Sequence, residues 1–267
     1  MDTQGVIDHI VGWLHSYAQR AGQKGFVVGV SGGIDSAVTS ALCARTGLPT
    51  VCVEMPIHQA QSHVTRALEH VAKLKAAYPN VTLERVDLTP PFDTLAAALP
   101  PHPEEAVRSF ALANARARLR MTTLYYIAGT ERLLVAGTGN KVEDFGVGFF
   151  TKYGDGGVDI SPIADLTKTE VYTVARALGI VESIMKAAPT DGLFGDSRTD
   201  EDQIGASYPE LEWAMDLRDR GVDPSTMDLS PRQKEVLAIF DRRRAANRHK
   251  MDPIPVCILP PALKGRS

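Results

Sequence analysis

Apolar residues fall at helical spacing over the first twenty positions and then close into an unbroken run. Val6, Ile7, Ile10, Val11, Leu14, Tyr17 and Ala18 form one stripe, which predicts an amphipathic helix over 4–21, with His9 and His15 outside the stripe and solvated. Residues 26–30, FVVGV, are short, apolar and β-branched, the pattern of a buried strand. From Ser36 onward Ala37, Val38, Ala41 and Leu42 return to helical spacing. The alternation then repeats: a strand over 50–54, a helix over 59–77 and a strand over 81–86. Residues 88–103 carry five prolines and read as a turn-like bridge out of the sheet. A long helix over 104–128 and a fourth strand over 133–136 follow. Later helices are expected near 207–219 and 231–248, and the chain after Pro253 reads as irregular. Strand–helix alternation at this spacing predicts an α/β fold with a doubly wound, mostly parallel sheet flanked by helices.

Composition narrows the class. A chain of 267 residues fits one domain, taken here as an α/β core over about 20–190 with C-terminal loop and helices over about 191–267. The net charge of −3 argues against a dedicated nucleic-acid binder. No run approaches the roughly twenty apolar residues of a membrane span, and the acidic N-terminus has no signal core; a cytoplasmic protein is expected. Cys43, Cys52 and Cys257 are too far apart for a C-x-x-C, and the first two read as buried thiols. His58, His63 and His70 lie in or beside the second helix without other ligand types nearby and are expected at the surface.

The chemistry concentrates between the first strand and its helix, at Ser31-Gly32-Gly33-Ile34-Asp35-Ser36. A strand, a glycine-rich loop and a helix aim unpaired backbone N–H groups and the positive end of a helix dipole at one point, which suits phosphate. Two glycines let backbone approach an anion closely. The loop is neither a Walker A loop nor G-x-G-x-x-G. Asp35 beside phosphate calls for a cation between them, and a magnesium ligand is the reading taken, against simple helix capping. In a parallel sheet ligands sit beyond the carboxyl ends of the strands, so Thr138, Glu143 and Asp144 after the fourth strand share that side. One carboxylate there would give a second magnesium contact, or Glu143 decorates a short helix. Thr167 and Glu170 make a capping box, with Lys168 in a first turn that disfavours lysine unless an anion is near. Arg116 and Arg120 can share a face of the long helix while Arg118 points elsewhere. Residues 190–205 are polar, acidic and glycine-interrupted, a candidate lid.

The 31–36 loop resembles that of the ATP pyrophosphatases, enzymes that adenylate a substrate and release pyrophosphate. From Asn114 to Thr190, and on to His249-Lys250, the chain is similar to the ammonia-dependent NAD⁺ synthetases; FFTKYGDGG at 149–157, then Asp159 and Pro162, is the most specific segment. The resemblance implies a Rossmann-like ATP pyrophosphatase fold. It implies that Gly29, Val30, Ser31, Gly32, Gly33, Ile34, Asp35 and Ser36 hold ATP phosphates, and that Asp35 and Glu143 hold Mg²⁺. Thr138, Lys168 and Thr190 would contact ATP. Arg118, Lys152, Asp159, His249 and Lys250 would contact deamido-NAD⁺, with Asp35, Lys168 and Asp159 closest to the chemistry. The spacing from Glu143 to Lys152 is one residue longer than the family's commoner one, so Asp144 is an alternative to Glu143. The implied reaction amidates deamido-NAD⁺ with ammonia through an acyl-adenylate in a homodimer. A glutaminase domain of the longer family form does not fit ahead of the loop, so free or separately supplied ammonia is expected. Two rival readings keep the loop but not the reaction: another adenylating enzyme, and a non-catalytic ATP or NAD⁺ sensor. FFTKYGDGG speaks against the first and the two magnesium carboxylates against the second.

Overall fold

The computed structural model describes residues 1–189 and 199–264. Its elements in chain order are α1 (Thr3–Arg20), β1 (Gly25–Gly29), α2 (Ile34–Arg45), β2 (Thr50–Glu54), α3 (Gln61–Ala77), β3 (Val81–Arg85), α4 (Thr89–Ala98), α5 (Glu105–Glu131) and β4 (Leu133–Val135). A π-helical turn over Lys141–Val147 follows, then α6 (Lys168–Leu178), α7 (Glu182–Met185), α8 (Asp200–Ile204), α9 (Tyr208–Asp219) and α10 (Pro231–Met251). The four strands are all parallel, in the order β3-β2-β1-β4. After β1 the chain goes to one side for β2 and β3 and later returns to the other side for β4. That reversal opens a crevice beyond the carboxyl ends of β1 and β4.

Strand alternation sorts the side chains between two layers. Phe26, Val28, Cys52, Leu134 and Ala136 face α1, α2, α3 and α6 in one core cluster. Val27, Val53, Leu133 and Val135 face α4 and α5 in another. A third cluster lies away from the sheet and joins the π-helical turn to α9 and α10 through Val142, Val147, Leu211, Leu237 and Phe240. Burying Phe240 completely is worth about 1.5–3 kcal/mol and ties α10 beneath that turn.

Two expectations are corrected. The proline-rich stretch is not a bare bridge: Thr89–Ala98 is helical, with proline in its first turn. Proline there gives up an N–H that has no helical partner and supplies a suitable φ; Phe92 then buries against the sheet. His70 is not at the surface. It is buried, 2.9 Å from Ser40 Oγ, and burial drives its imidazole down to about 4. A neutral His70 bridges α2 and α3. His58 stays exposed and pairs with Asp93 at 2.7 Å, and His63 is half-buried. Cys43 and Cys52 are buried thiols, as the sequence indicated.

Candidate active site

The loop after β1 is held by its own serines. Ser31 N–H donates to Ser36 Oγ at 3.2 Å, Ser36 Oγ donates to the Gly33 carbonyl at 3.0 Å, and Gly33 N–H donates to Ser31 Oγ at 3.2 Å. Gly33 caps α2 with extended backbone and no side-chain bond. The amides of Ile34, Asp35 and Ser36 therefore have no acceptor among the described residues, the condition that makes a helix start an anion site. Gly32 is the strict requirement. Its φ is +80°, and a Cβ there would sit 2.5 Å from the His63 carbonyl of α3. Gly32→Ala should cost about 1–3 kcal/mol through backbone strain alone, and its clash with α3 should also disturb the loop. Thermal melts and ATP calorimetry test this against Gly47→Ala. Gly47 has φ +76° but open space, so its variant should lose stability and keep ATP affinity.

Facing the loop, Lys168 stands at the first position of α6, buried to 3% exposure. Its Nζ donates to Asp35 Oδ2 at 2.7 Å and to Glu143 Oε1 at 2.9 Å, and it lies 4.7 Å from the centre of the Tyr208 ring. The anion that makes lysine acceptable in this first turn is thus the chain's own carboxylate pair. Burial alone would lower the Lys168 pKa, and the two carboxylates outweigh it and raise it above the lysine range. Burial likewise pushes Asp35 up, with Lys168 opposing. On Glu143, Lys168, Tyr208 and Asn140 overcome burial and hold the carboxyl below its usual range.

Asn140, Tyr208 and Asp200 complete the cluster, and sequence reasoning passed over all three. Asn140 is fully buried; its Nδ2 donates to Asp35 Oδ1 at 3.3 Å, and its Oδ1 accepts from the Val142 and Glu143 amides. One local signal existed for it, an Asn three residues before Glu143 in the manner of a helix start. Tyr208 donates to Glu143 and lies 3.2 Å from Asp200 Oδ2. No local signal links Tyr208 to a carboxylate 65 positions earlier.

Residues Lys141–Val147 form a π-helical turn: Gly148 N–H reaches back five residues to the Glu143 carbonyl, and Glu143 lines the cleft. Asp144 also lines the cleft. Burial, with Asp155 and Glu143 nearby, pushes its carboxyl well up, and Lys250 only partly offsets them. Glu143 is the carboxylate that shares the Lys168 ammonium with Asp35. Two carboxylate oxygens on one nitrogen at 2.7 and 2.9 Å suit a hard divalent ion that takes its other ligands from phosphate and water. Among the described residues no cluster of three or more metal-ligating side chains would enclose an ion alone.

The cleft brings together Gly29 through Ser36, Thr138, Glu143, Asp144 and Lys168, with Glu54, Met55, Gln59, His63, Arg66 and Arg120 on its other walls. Arg120 donates to the Met55 carbonyl at 3.0 Å and to Gln59 Oε1 at 3.0 Å, and burial lowers it to about 10. Thr190 lies outside the described residues, as does 190–198 of the candidate lid. The substrate candidates gather elsewhere, on a neighbouring surface. Arg118 Nε donates to the Lys152 carbonyl at 3.3 Å, Lys152 Nζ to the His249 carbonyl at 2.5 Å, and Lys250 Nζ to the Phe150 carbonyl at 2.7 Å. The loop carrying Lys152 joins the two places, since its Phe149, Gly154, Asp155 and Gly157 line the cleft. Asp159 belongs to neither. Its carboxylate accepts from Val135 N–H at 2.8 Å and Tyr125 Oη at 2.9 Å, which anchors the loop to β4.

The family model for NAD synthase matches residues 6–253. An NH₃-dependent NAD⁺ synthetase of Methanosarcina mazei is 35% identical over 259 residues, 96% of this chain and 98% of the relative. One from Carboxydothermus hydrogenoformans is 39% identical over 211 residues, 77% of this chain and 82% of the relative. The solved NMN synthetase of Francisella tularensis superposes with a TM-score of 0.81 at 29% identity, covering 97% of this chain and all of that one.

Proposed function

The chain belongs to the NAD synthase family, and on that premise we propose that it is an ammonia-dependent NAD⁺ synthetase, a carbon–nitrogen ligase. The observation that carries the site is the anion-ready loop facing the Asp35–Lys168–Glu143 cluster across one cleft. In the first step a carboxylate oxygen of deamido-NAD⁺ bonds to the α-phosphorus of ATP, and the bond to pyrophosphate breaks. In the second, ammonia bonds to the acyl carbon, AMP leaves, and a proton passes to solvent. Neither step needs a protein nucleophile; both need placement and charge balance. The free amides of Ile34, Asp35 and Ser36 receive phosphate oxygens. Asp35 and Glu143 would hold Mg²⁺, which when bound neutralises phosphate charge. Asn140 and Tyr208 fix the two carboxylates, Lys168 opposes the effect of burial on both, and Thr138 lies on the cleft wall. Arg118, Lys152, His249 and Lys250 offer the second patch to deamido-NAD⁺.

Incubation with ATP, Mg²⁺, ammonium and deamido-NAD⁺ should form NAD⁺, AMP and pyrophosphate in equal amounts. Deamido-NAD⁺ binding without turnover would favour a sensor. ATP binding without either would leave the loop assigned and the substrate not. The assay also runs with nicotinate mononucleotide, because the superposition on an NMN synthetase favours a second reading in which the shorter substrate is amidated. We place the protein in the cytoplasm as a C₂ homodimer. Exposed Phe110 and Tyr126 of α5, at 63% and 72%, support a second copy packing there, and sedimentation at graded concentration tests it.

A further inference from the structure

The cleft holds a cation that neither the family resemblance nor the carboxylate cluster uses. Lys168 spends its charge on Asp35 and Glu143, and with both ionised that trio is net negative. Arg120 is engaged by the Met55 carbonyl and Gln59. Arg66, on the second turn of α3, donates from Nε to the Gly32 carbonyl at 3.2 Å and has no carboxylate partner among the described residues. It is half-buried and lines the cleft beside the loop. The tie to Gly32 fixes where the side chain ends. Gly32 also presses on α3: a Cβ there would sit 2.5 Å from the His63 carbonyl and 3.2 Å from the Ala67 amide. Helix and loop are therefore in direct contact at Gly32, and the guanidinium stands beside the phosphate cradle.

We propose that Arg66 is a phosphate ligand of the nucleotide site, gripping the pyrophosphate end of ATP and the pyrophosphate product alongside the loop amides. This rests on the synthetase reading only for the identity of the nucleotide. A guanidinium suits the task because Nε can stay on Gly32 while the two terminal nitrogens present paired donors to phosphate oxygens. It supplies positive charge on the α3 side of the loop, opposite the carboxylates that would hold Mg²⁺, so the phosphate chain is flanked by cations. Lysine offers its donors from a single point, so it cannot stay on Gly32 and also present the planar paired donors to phosphate.

The test is calorimetric titration of the full chain with magnesium pyrophosphate, which needs no turnover. Arg66→Met should weaken pyrophosphate binding at least tenfold, and Arg66→Lys should recover only part of it. In the synthetase assay Arg66→Met should raise the KM for ATP and weaken product inhibition by pyrophosphate, with the KM for deamido-NAD⁺ unchanged. A pyrophosphate affinity within twofold of the unaltered protein, at unchanged Tm, overturns the assignment. If Arg66→Met lowers the Tm, Arg66→Gln, which can still donate to Gly32, carries the same comparison; an affinity retained in that variant also overturns it. An unaltered protein that binds pyrophosphate and forms no NAD⁺ would sink the synthetase reading and leave Arg66 in place. One that binds no pyrophosphate would sink the role of Arg66.

Discussion

Lys168→Met should slow NAD⁺ formation by roughly 10²–10³-fold, the loss seen when one preorganised donor is removed from a site, and should destabilise the fold by about 3–5 kcal/mol. Both effects come from one geometry. Lys168 Nζ is the ammonium between two carboxylates, and all three side chains are largely shielded: 4% exposure for Lys168, 17% for Asp35 and 14% for Glu143. Methionine matches the length of lysine, so packing against the Tyr208 ring survives and the loss isolates the charge. Burial and mutual repulsion then act on Asp35 and Glu143 without a counter-ion, and both raise a carboxyl pKa. A carboxyl whose folded pKa lies above its unfolded value holds its proton more tightly when folded, so stability falls as pH rises through the folded value. The deficit of Lys168→Met should therefore be smaller at pH 5 than at pH 8. In the unaltered protein the Lys168 pKa is raised, so its contribution is complete below the ordinary lysine value of 10.5 and is lost only as pH rises above it. Urea unfolding of both proteins at pH 5 and pH 8 checks the sign. A deficit independent of pH would mean that the carboxylates are not left charged and unpaired.

The sheet was legible because its signals are local. Each strand is a short β-branched run closed by glycine, proline or a change of period, and the elements over 26–30, 50–54, 81–86 and 133–136 all appear within a residue of their expected ends. The long helix extends to Glu131, three residues past expectation, and stops where Arg132 turns left-handed. The reading failed where a local signal has two meanings. Proline marks both a bridge and a first helical turn, and α4 is the second case. Histidine on a partly polar helix can face water or core; His70 faces the core because Ser40 of α2 meets it there. In the site, Asp35 and Lys168 were recoverable because each offends a local rule, a carboxylate beside an anion cradle and a lysine at a helix start. Asn140 and Tyr208 offend none, and their importance comes from partners brought close only by the fold. The Ser40–His70 pairing is buried in the core as a structural bond. Asp159, placed by resemblance near the chemistry, spends its carboxylate on β4 and Tyr125 in this structure.

Glu143→Gln and Asp144→Asn should part by about two orders of magnitude in rate, with Glu143→Gln the damaging one. Spacing alone left the choice between them open. In the π-helical turn over Lys141–Val147 Glu143 meets Lys168, which also meets Asp35, and that favours counting forward from Thr138. Two donors converge on the Glu143 carboxylate, Lys168 Nζ and Tyr208 Oη, while its own amide donates to Asn140 Oδ1. Its carboxyl is held below the usual range and is ionised at neutral pH, as a magnesium ligand must be. Glutamine there keeps the shape but removes the charge that answers Lys168, and it should raise the Mg²⁺ concentration needed for half-maximal rate. Lys250 only partly offsets the carboxylate neighbours of Asp144. Burial, Asp155 and Glu143 raise its pKa, so losing its charge disturbs less than at Glu143, and the rate of Asp144→Asn should stay within about tenfold. Calorimetry of Mg²⁺ with a non-hydrolysable ATP analogue gives a second readout: weaker binding in Glu143→Gln and unchanged binding in Asp144→Asn. The reverse pattern would mean that the loaded site shifts the π-helical turn by one residue and hands the metal position to Asp144.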